Sequence, residues 1–175
     1  MTIQSMALIG TGVMGMGIAQ IAAQAGVEVR LFDAKACAAE AGLAKLKVTL
    51  EKLQAKGKFT EQVLNETLAR FVVLDSIEQI AGVDMVVEAI IENLEIKQSL
   101  FKQIEAIVAP STILATNTSS LSVTAIASNL EHQGRMAGFH FFNPVPLMKI
   151  VEVIAGLATD EQVVADLLEL AQRMG

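Results

Sequence analysis

The sequence is almost free of cysteine. Cys37 is the only cysteine among 175 residues, so it has no partner for an internal disulfide and no neighbour with which to hold a metal. A small secreted scaffold held together by disulfides is therefore excluded, and no metal site is expected. A reducing, cytoplasmic location fits this composition best.

Positive charge is also scarce. Thirteen lysines and arginines are outnumbered by nineteen acidic residues, which leaves a formal net charge of −6. Such a chain repels a phosphate backbone on average, so a nucleic-acid partner is not expected. Charged residues make up only 18% of the chain and hydrophobic residues 53%, and this balance excludes a disordered tail or a coiled coil.

Long uninterrupted apolar runs are missing as well. Residues 1–27 contain no ionisable side chain, which superficially suggests a membrane span or a signal peptide. However, there is no basic segment at the start, and four polar side chains and four glycines interrupt every apolar stretch. We therefore expect no membrane partner.

What the sequence does contain is a regular alternation of strand and helix patterns. Its length suits one domain, residues 1–175. Residues 3–9 predict a strand, 14–25 a helix and 27–32 a second strand, which together form a βαβ unit. A helical hairpin is expected at about 36–70, and five further strands alternate with helices after it. The predicted fold is α/β, a Rossmann-type doubly wound and mostly parallel sheet with an inserted helical hairpin.

The first βαβ unit carries a glycine pattern that is typical of dinucleotide binding. Gly10 allows a tight turn, Gly12 lets a pyrophosphate approach the backbone, and Gly15 lets the helix pack closely on the strand. An acidic residue, Asp33, ends the second strand, where it can accept from ribose hydroxyls and repel a 2′-phosphate, so NAD is favoured over NADP. The candidate cofactor-binding residues of this unit are Gly10, Gly12, Val13, Met14, Gly15 and Asp33.

A second group of candidate residues surrounds one of the two histidines. His140 lies in the string FHFFNP, and Glu152 interrupts the apolar string IVEVI twelve residues later. A buried carboxylate among apolar neighbours needs a partner, and an imidazole held by it would keep one ring nitrogen free as an acid or base. The alternative is a satisfied core histidine and a glutamate that points from an edge strand into water.

A third candidate is the polar string TNTSS at residues 116–120, which follows an apolar strand. The carboxyl end of that strand lies on the crevice side of the predicted sheet, where Asn117 and Ser119 can hold a substrate oxygen or a nicotinamide ribose. The alternative is an ordinary turn that caps the next helix.

Four strings of the chain resemble the N-terminal, NAD-binding domain of the 3-hydroxyacyl-CoA dehydrogenase family. They are IGTGVMGMGIAQ at 9–20, VEAIIENL at 87–94 followed by Lys97, ATNTSSL at 115–121 and GFHFFNPVPLMKIVEV at 138–153. The last string is the most specific, because many unrelated dehydrogenases have the glycine pattern and few have HFFNP followed by MKIVEV. The resemblance implies an oxidoreductase of fatty acid metabolism that uses NAD and an acyl-CoA substrate.

The resemblance also implies roles for individual residues. His140 would be the catalytic acid or base, Glu152 its orienting carboxylate, and Ser119 a contact shared by the substrate oxygen and the cofactor. Further cofactor contacts would be Glu92, Lys97, Asn117 and Asn143. Thr49 and Lys56, in the helical hairpin, fall where the family contacts coenzyme A, although a solvated helix face is the alternative for both.

The family continues past this point into a helical second domain that mediates dimerisation and closes over the acyl chain. This sequence stops at Gly175, so the resemblance implies a truncated N-terminal domain whose homo-oligomer forms through the absent C-terminal helical domain. Two alternatives stay open. The chain is an NAD-binding module without turnover in isolation, or it is another Rossmann dehydrogenase of the sugar-acid type.

Overall fold

Seven strands form one sheet in the computed structural model, which describes residues 2–175. The strands are β1 (Ser5–Ile9), β2 (Glu28–Phe32), β3 (Phe71–Val73), β4 (Met85–Glu88), β5 (Ile113–Thr116), β6 (Met136–Phe141) and β7 (Val151–Ala155). The α-helices are α1 (Val13–Gln24), α2 (Ala38–Ala55), α3 (Glu61–Leu68), α4 (Leu94–Glu105), α5 (Val123–Ala127) and α6 (Glu161–Met174). Two short 3₁₀ helices span Ile77–Ile80 and Gln133–Arg135.

The strand order confirms the predicted fold class. It runs β3-β2-β1-β4-β5-β6-β7, with the first six strands parallel and β7 antiparallel to β6. The order reverses between β1 and β4, and open α/β sheets bind ligands outside the carboxyl ends of the strands at such a point. The loops after β1 and β4 are therefore the first place to look for a site.

The central strands are buried on both faces, because helices cover the sheet above and below. All four residues of β4 are buried, which explains why its first three residues are apolar; the fourth is Glu88. One apolar cluster packs α1 and α6 against the sheet, through residues such as Ile18 and Leu167. The other packs α4 and α5 on the opposite face, through residues such as Phe101 and Ile126. Each such side chain contributes about 1.5–3 kcal/mol when fully buried, so the core holds the strand ends in place.

The predicted helical hairpin is present as α2 and α3. Gly57, after the end of α2, has φ of +72°, and Thr60 caps the start of α3, because its hydroxyl accepts from the Val63 N–H at 3.3 Å. Leu46, Leu50 and Leu64 form a small apolar cluster between the two helices. Within residues 2–175, no helix is both long enough and apolar enough to cross a membrane.

Candidate active site

The glycine turn after β1 has a different structural reason for each of its three glycines. Gly10 has φ of +96°, and a Cβ there would lie 2.7 Å from the carbonyl oxygen of Ala89. A Cβ on Gly15 would lie 1.9 Å from the carbonyl oxygen of Gly10, so only glycine lets α1 begin this close to the turn. A Cβ on Gly12 would meet nothing within 4 Å. The space beside Gly12 is therefore open to a ligand.

Asp33 is held against the glycine turn by Thr11. Its Oδ2 accepts from the Thr11 N–H at 2.7 Å and from the Thr11 hydroxyl at 2.8 Å, and its Oδ1 accepts from the Lys35 N–H at 2.9 Å. Burial raises the pKa of Asp33, but these donors outweigh it and leave the pKa below its ordinary value. The carboxylate is thus kept ionised at the end of β2.

A cleft of about 960 Å³ opens beside this turn, and we call it the Asp33 cleft. Its walls come from the ends of β1, β2 and β4 and from one face of α4. Its lining includes Gly10, Gly12, Asp33, Lys35, Glu95, Ser99 and Gln103. The start of α1, at Val13, presents free N–H groups and the positive end of the helix dipole to this region. No acidic residue in the first turn offsets that positive end.

A second pocket, of about 370 Å³, lies at the carboxyl ends of β4, β5 and β6, and we call it the His140 pocket. It shares Ala89 and Ile90 with the Asp33 cleft, so the two spaces adjoin. The predicted site residues that line it are Met14, Glu92, Asn117, Ser119, His140 and Asn143. The tertiary structure therefore brings together residues that are spread over 130 positions of the sequence.

His140 and Glu152 are paired, as the string around them suggested. They lie directly opposite each other on the antiparallel strands β6 and β7, and His140 Nδ1 is 2.9 Å from Glu152 Oε2. The histidine side chain is 15% exposed, and Nε2 takes no part in the contact with Glu152. Since a neutral imidazole has one N–H, a carboxylate on Nδ1 favours the tautomer with an unprotonated Nε2.

The expectation that Glu152 is a buried charge is wrong. Its side chain is 53% exposed, because β7 is an edge strand and this residue is on its solvated side. Apolar neighbours in the sequence do not bury Glu152, since alternate residues of a strand point to opposite faces. Burial therefore does not force the pair together, and strand register places the two groups opposite each other instead.

Asn117 fixes the strand that carries His140. Its Oδ1 accepts from the backbone N–H of Phe141 at 2.9 Å, and its own N–H donates to the carbonyl oxygen of Glu88 at 2.9 Å. The side chain thus joins the loop after β5 to β6 beside the histidine. Ser119, two residues on, lines the same pocket, and its N–H donates to Glu92 Oε1 at 3.1 Å.

Lys97 and Glu92, both predicted to contact the cofactor, occupy different environments. Lys97 is 1% exposed, and its Nζ lies 2.5 Å from Glu88 Oε1 and 3.3 Å from Glu92 Oε2, so it lines neither space. Glu92 is 37% exposed and lines the His140 pocket. Burial raises the pKa of Glu92, but the hydroxyl of Thr118, the charge of Lys97 and the Ser119 N–H together lower it below the ordinary value.

The two residues predicted to contact coenzyme A are separated. Thr49 lines a third cleft, of about 590 Å³, together with Lys45, Gly12 and Asn143, and we call it the Thr49 cleft. Lys56 lines none of the three spaces; it is exposed beyond the end of α2, about 10 Å along the helix axis from Thr49. Lys45, one helical turn before Thr49, is the basic residue that the structure adds.

Sequence reasoning missed three residues of this region. Thr11 holds Asp33, Thr118 donates its hydroxyl to Glu92, and Glu88 binds Lys97. Glu88 had a readable signal, because it is the one acidic residue in an otherwise apolar strand. Thr118 belongs to the polar string at 116–120, which drew attention to it without indicating its role, and Thr11 had no signal, since a threonine in a turn usually serves only that turn.

Comparisons with known proteins agree on one group of dehydrogenases. Residues 5–175 match the model of the 3-hydroxyacyl-CoA dehydrogenase, NAD binding domain. The chain is 46% identical over all 175 residues to a probable 3-hydroxybutyryl-CoA dehydrogenase of Bacillus subtilis, of which it covers 61%. It is 43% identical over 173 residues, 99% of its length, to the 3-hydroxyadipyl-CoA dehydrogenase of Escherichia coli, of which it covers 36%.

The solved structures point the same way. The whole chain superimposes on a 3-hydroxybutyryl-CoA dehydrogenase from Escherichia coli K12 with a TM-score of 0.98 at 43% identity, and covers 37% of that chain. The chain thus spans from about a third to three fifths of the length of these relatives.

Proposed function

Since the chain belongs to the 3-hydroxyacyl-CoA dehydrogenase family, whose NAD-binding domain it contains, we propose that the natural protein interconverts (3S)-3-hydroxyacyl-CoA and 3-oxoacyl-CoA with NAD. One observation carries the proposal above the others. His140, which is paired with Glu152, lines a pocket that shares Ala89 and Ile90 with the cleft beside the glycine turn, so a proton-transferring group lies next to the place where a dinucleotide fits.

The residues around the glycine turn fit a dinucleotide. The space beside Gly12 is open, the start of α1 presents N–H groups, and Asp33 is ionised on the wall of the cleft. We assign the adenosine half to the Asp33 cleft, where that carboxylate would accept from ribose hydroxyls. The diphosphate would lie against Gly12 and Val13, and Asn117, Ser119 and Asn143 would surround the other ribose and the ring.

The reaction needs one proton-transferring group from the protein. NAD, when bound, supplies the acceptor for the hydride that leaves C3 of the substrate. His140 takes the hydroxyl proton on Nε2 in the oxidative direction and returns it in the reductive one. Glu152 stabilises the imidazolium that forms, because its carboxylate is 2.9 Å from Nδ1. Positioned proton transfer of this kind contributes about 10²- to 10⁴-fold in rate.

Two further side chains act on the substrate and on the histidine. Ser119 lines the same pocket as His140, and its hydroxyl is the group we assign to the reacting oxygen. Asn117 keeps the histidine in place through its bond to the Phe141 N–H. The coenzyme A part would extend along the Thr49 cleft, where Lys45 offers a positive charge to phosphate and the exposed Lys56 could add a second one further along α2.

The setting of the protein belongs to the proposal as well. The relatives named above are bacterial, and a cytoplasmic location is the one we propose, together with a homo-oligomer and an acyl-CoA substrate. An NAD-binding module without turnover remains the second candidate, because the chain spans only part of each of these relatives.

The test is the rate of NADH oxidation with acetoacetyl-CoA in the natural gene product and in its His140→Gln variant. We expect the variant to lose at least about a hundredfold in kcat while its KM for NADH stays within about twofold. The same assay on the 175-residue chain separates the two candidates, since a binding module takes up NADH without oxidising it. Wild-type turnover in the variant would refute the assignment of the base.

A further inference from the structure

Glu88 is a fully buried carboxylate that the proposed chemistry does not use. It ends β4 between two neighbouring strands, in register with Ile9 on β1 and Thr116 on β5, and it is 0% exposed. Burying a carboxylate there costs free energy unless both of its oxygens accept hydrogen bonds and an opposite charge lies close by. An apolar residue would suit the strand better, so the acid needs a specific reason.

The partners of Glu88 connect β4 to the loop after it and to α4. Its Oε1 accepts from the Ile90 N–H at 2.7 Å and from Lys97 Nζ at 2.5 Å. Its Oε2 accepts from the hydroxyl of Thr116 at 2.7 Å. Lys97 is as buried as Glu88, so the ammonium is held in one position by this carboxylate.

The same ammonium reaches the edge of the His140 pocket. Lys97 Nζ lies 3.3 Å from Oε2 of Glu92, which is partly exposed and lines the pocket. The other oxygen of Glu92 accepts from the Thr118 hydroxyl, from the Ser119 N–H at 3.1 Å and from the Ser120 N–H at 3.4 Å. A continuous chain of charged contacts thus runs from the core to the turn that carries Ser119.

We propose that Glu88 is a positioning residue for the nicotinamide side of the site. By holding Lys97 it fixes the carboxylate of Glu92, and Glu92 in turn fixes the turn at residues 118–120. The effect on the turn stands on its contacts alone, and the effect on the cofactor rests on the proposed function. A residue that only stabilised β4 would not change the turn or cofactor binding more than it changes the rest of the chain.

The test compares Glu88→Gln with Asp84→Asn. Glutamine keeps the size of the side chain and an oxygen acceptor but removes the charge that holds Lys97. Asp84 is a matched control, because it lies just before the opposite end of β4, where its carboxylate accepts from the N–H groups of Gln4 and Ser5 at 2.8 and 2.9 Å. Both substitutions lower thermal stability, and only the first should loosen the turn.

The first measurement is hydrogen–deuterium exchange of the chain without ligand. Glu88→Gln should speed exchange in the peptide that contains residues 118–121 by about tenfold, the size expected for weakening bonds to a charged group. Exchange in the core strand β1 should rise only by the amount that the loss of global stability requires, and Asp84→Asn should leave the turn as it is. Unaltered exchange at the turn in Glu88→Gln would overturn the proposal.

The second measurement is affinity for NADH and for ADP, which lacks the nicotinamide half. Glu88→Gln should weaken NADH binding by about tenfold and ADP binding by less than about twofold. If Glu88 has only a structural role, both affinities fall alike, and that result would refute the proposal. If the unchanged chain bound no NADH, the proposed function would fail, while the exchange result would still decide the role of Glu88. If Glu88→Gln does not fold, the double variant Glu88→Gln/Lys97→Met, which leaves no unpaired buried charge, should change exchange and the affinity ratio in the same direction.

Discussion

Replacing the glycines of the turn by alanine, one at a time, should separate folding from cofactor binding. Gly12 has φ of −70°, which alanine adopts without strain, and a Cβ there meets nothing within 4 Å. Gly15 differs, because its Cβ would have to move from 1.9 Å to at least 3.0 Å from the carbonyl oxygen of Gly10. Gly15→Ala therefore tests the packing of the turn, and Gly12→Ala tests the space that the turn leaves for a ligand.

For Gly15→Ala we expect a loss of stability. The clash involves backbone on both sides, so α1 must shift against the turn, at the upper end of the cost of overpacking, about 3 kcal/mol. In a chain of this size that corresponds to a fall in Tm of about 6–12 °C. For Gly12→Ala we expect the free energy of unfolding to stay within about 0.5 kcal/mol of the wild type.

For NADH affinity, we expect Gly12→Ala to have the direct effect. The methyl group of Gly12→Ala occupies the space through which we expect the diphosphate to approach, and the lost bonds to a charged group correspond to at least about a tenfold weaker Kd. The chain contains no Trp or Tyr, so the emission of NADH itself reports binding, and circular dichroism reports unfolding. A Gly12→Ala protein that is fully stable and binds NADH like the wild type would refute this account of the turn.

Three further predictions concern other contacts. Glu152→Gln should lower kcat by about tenfold with little change in the KM for NADH, and unchanged turnover would show that His140 does not need its partner. Lys45→Ala should raise the KM for the acyl-CoA about threefold, as expected for an exposed charge near phosphate, and an equal rise in the KM for NADH would argue against this role. Burial raises the pKa of Glu105, but two backbone N–H groups and Arg135 lower it below the ordinary 4.5. Its contribution to stability is therefore complete above about pH 4.5 and disappears as the pH falls through the lowered value, so Glu105→Gln should flatten the acid decline of the unfolding free energy measured with urea.

The order of elements was readable from the sequence because it depends on local periodicity. The strand at 3–9, the helix after the glycines and the two helices of the hairpin at 36–70 repeat apolar residues at the spacing of a strand or a helix, and the structure has them within two residues of those bounds. The glycine pattern was readable for the same reason, since its contacts lie within one turn and the helix that follows.

The site depended on contacts between distant segments, which local periodicity does not encode. The partnership of His140 with Glu152 was suggested by the strings, but the exposure of the acid followed from β7 being an antiparallel edge strand. The burial of Lys97 was not readable, because a lysine in a helix is usually exposed and nothing local in the sequence shows that its ammonium reaches Glu88 on β4.

The sequence by itself thus determined the elements, the fold class and the residue types of the site. Only the tertiary structure decided which of those residues face a ligand and which hold others in place, because register and packing between distant strands set the direction of each side chain.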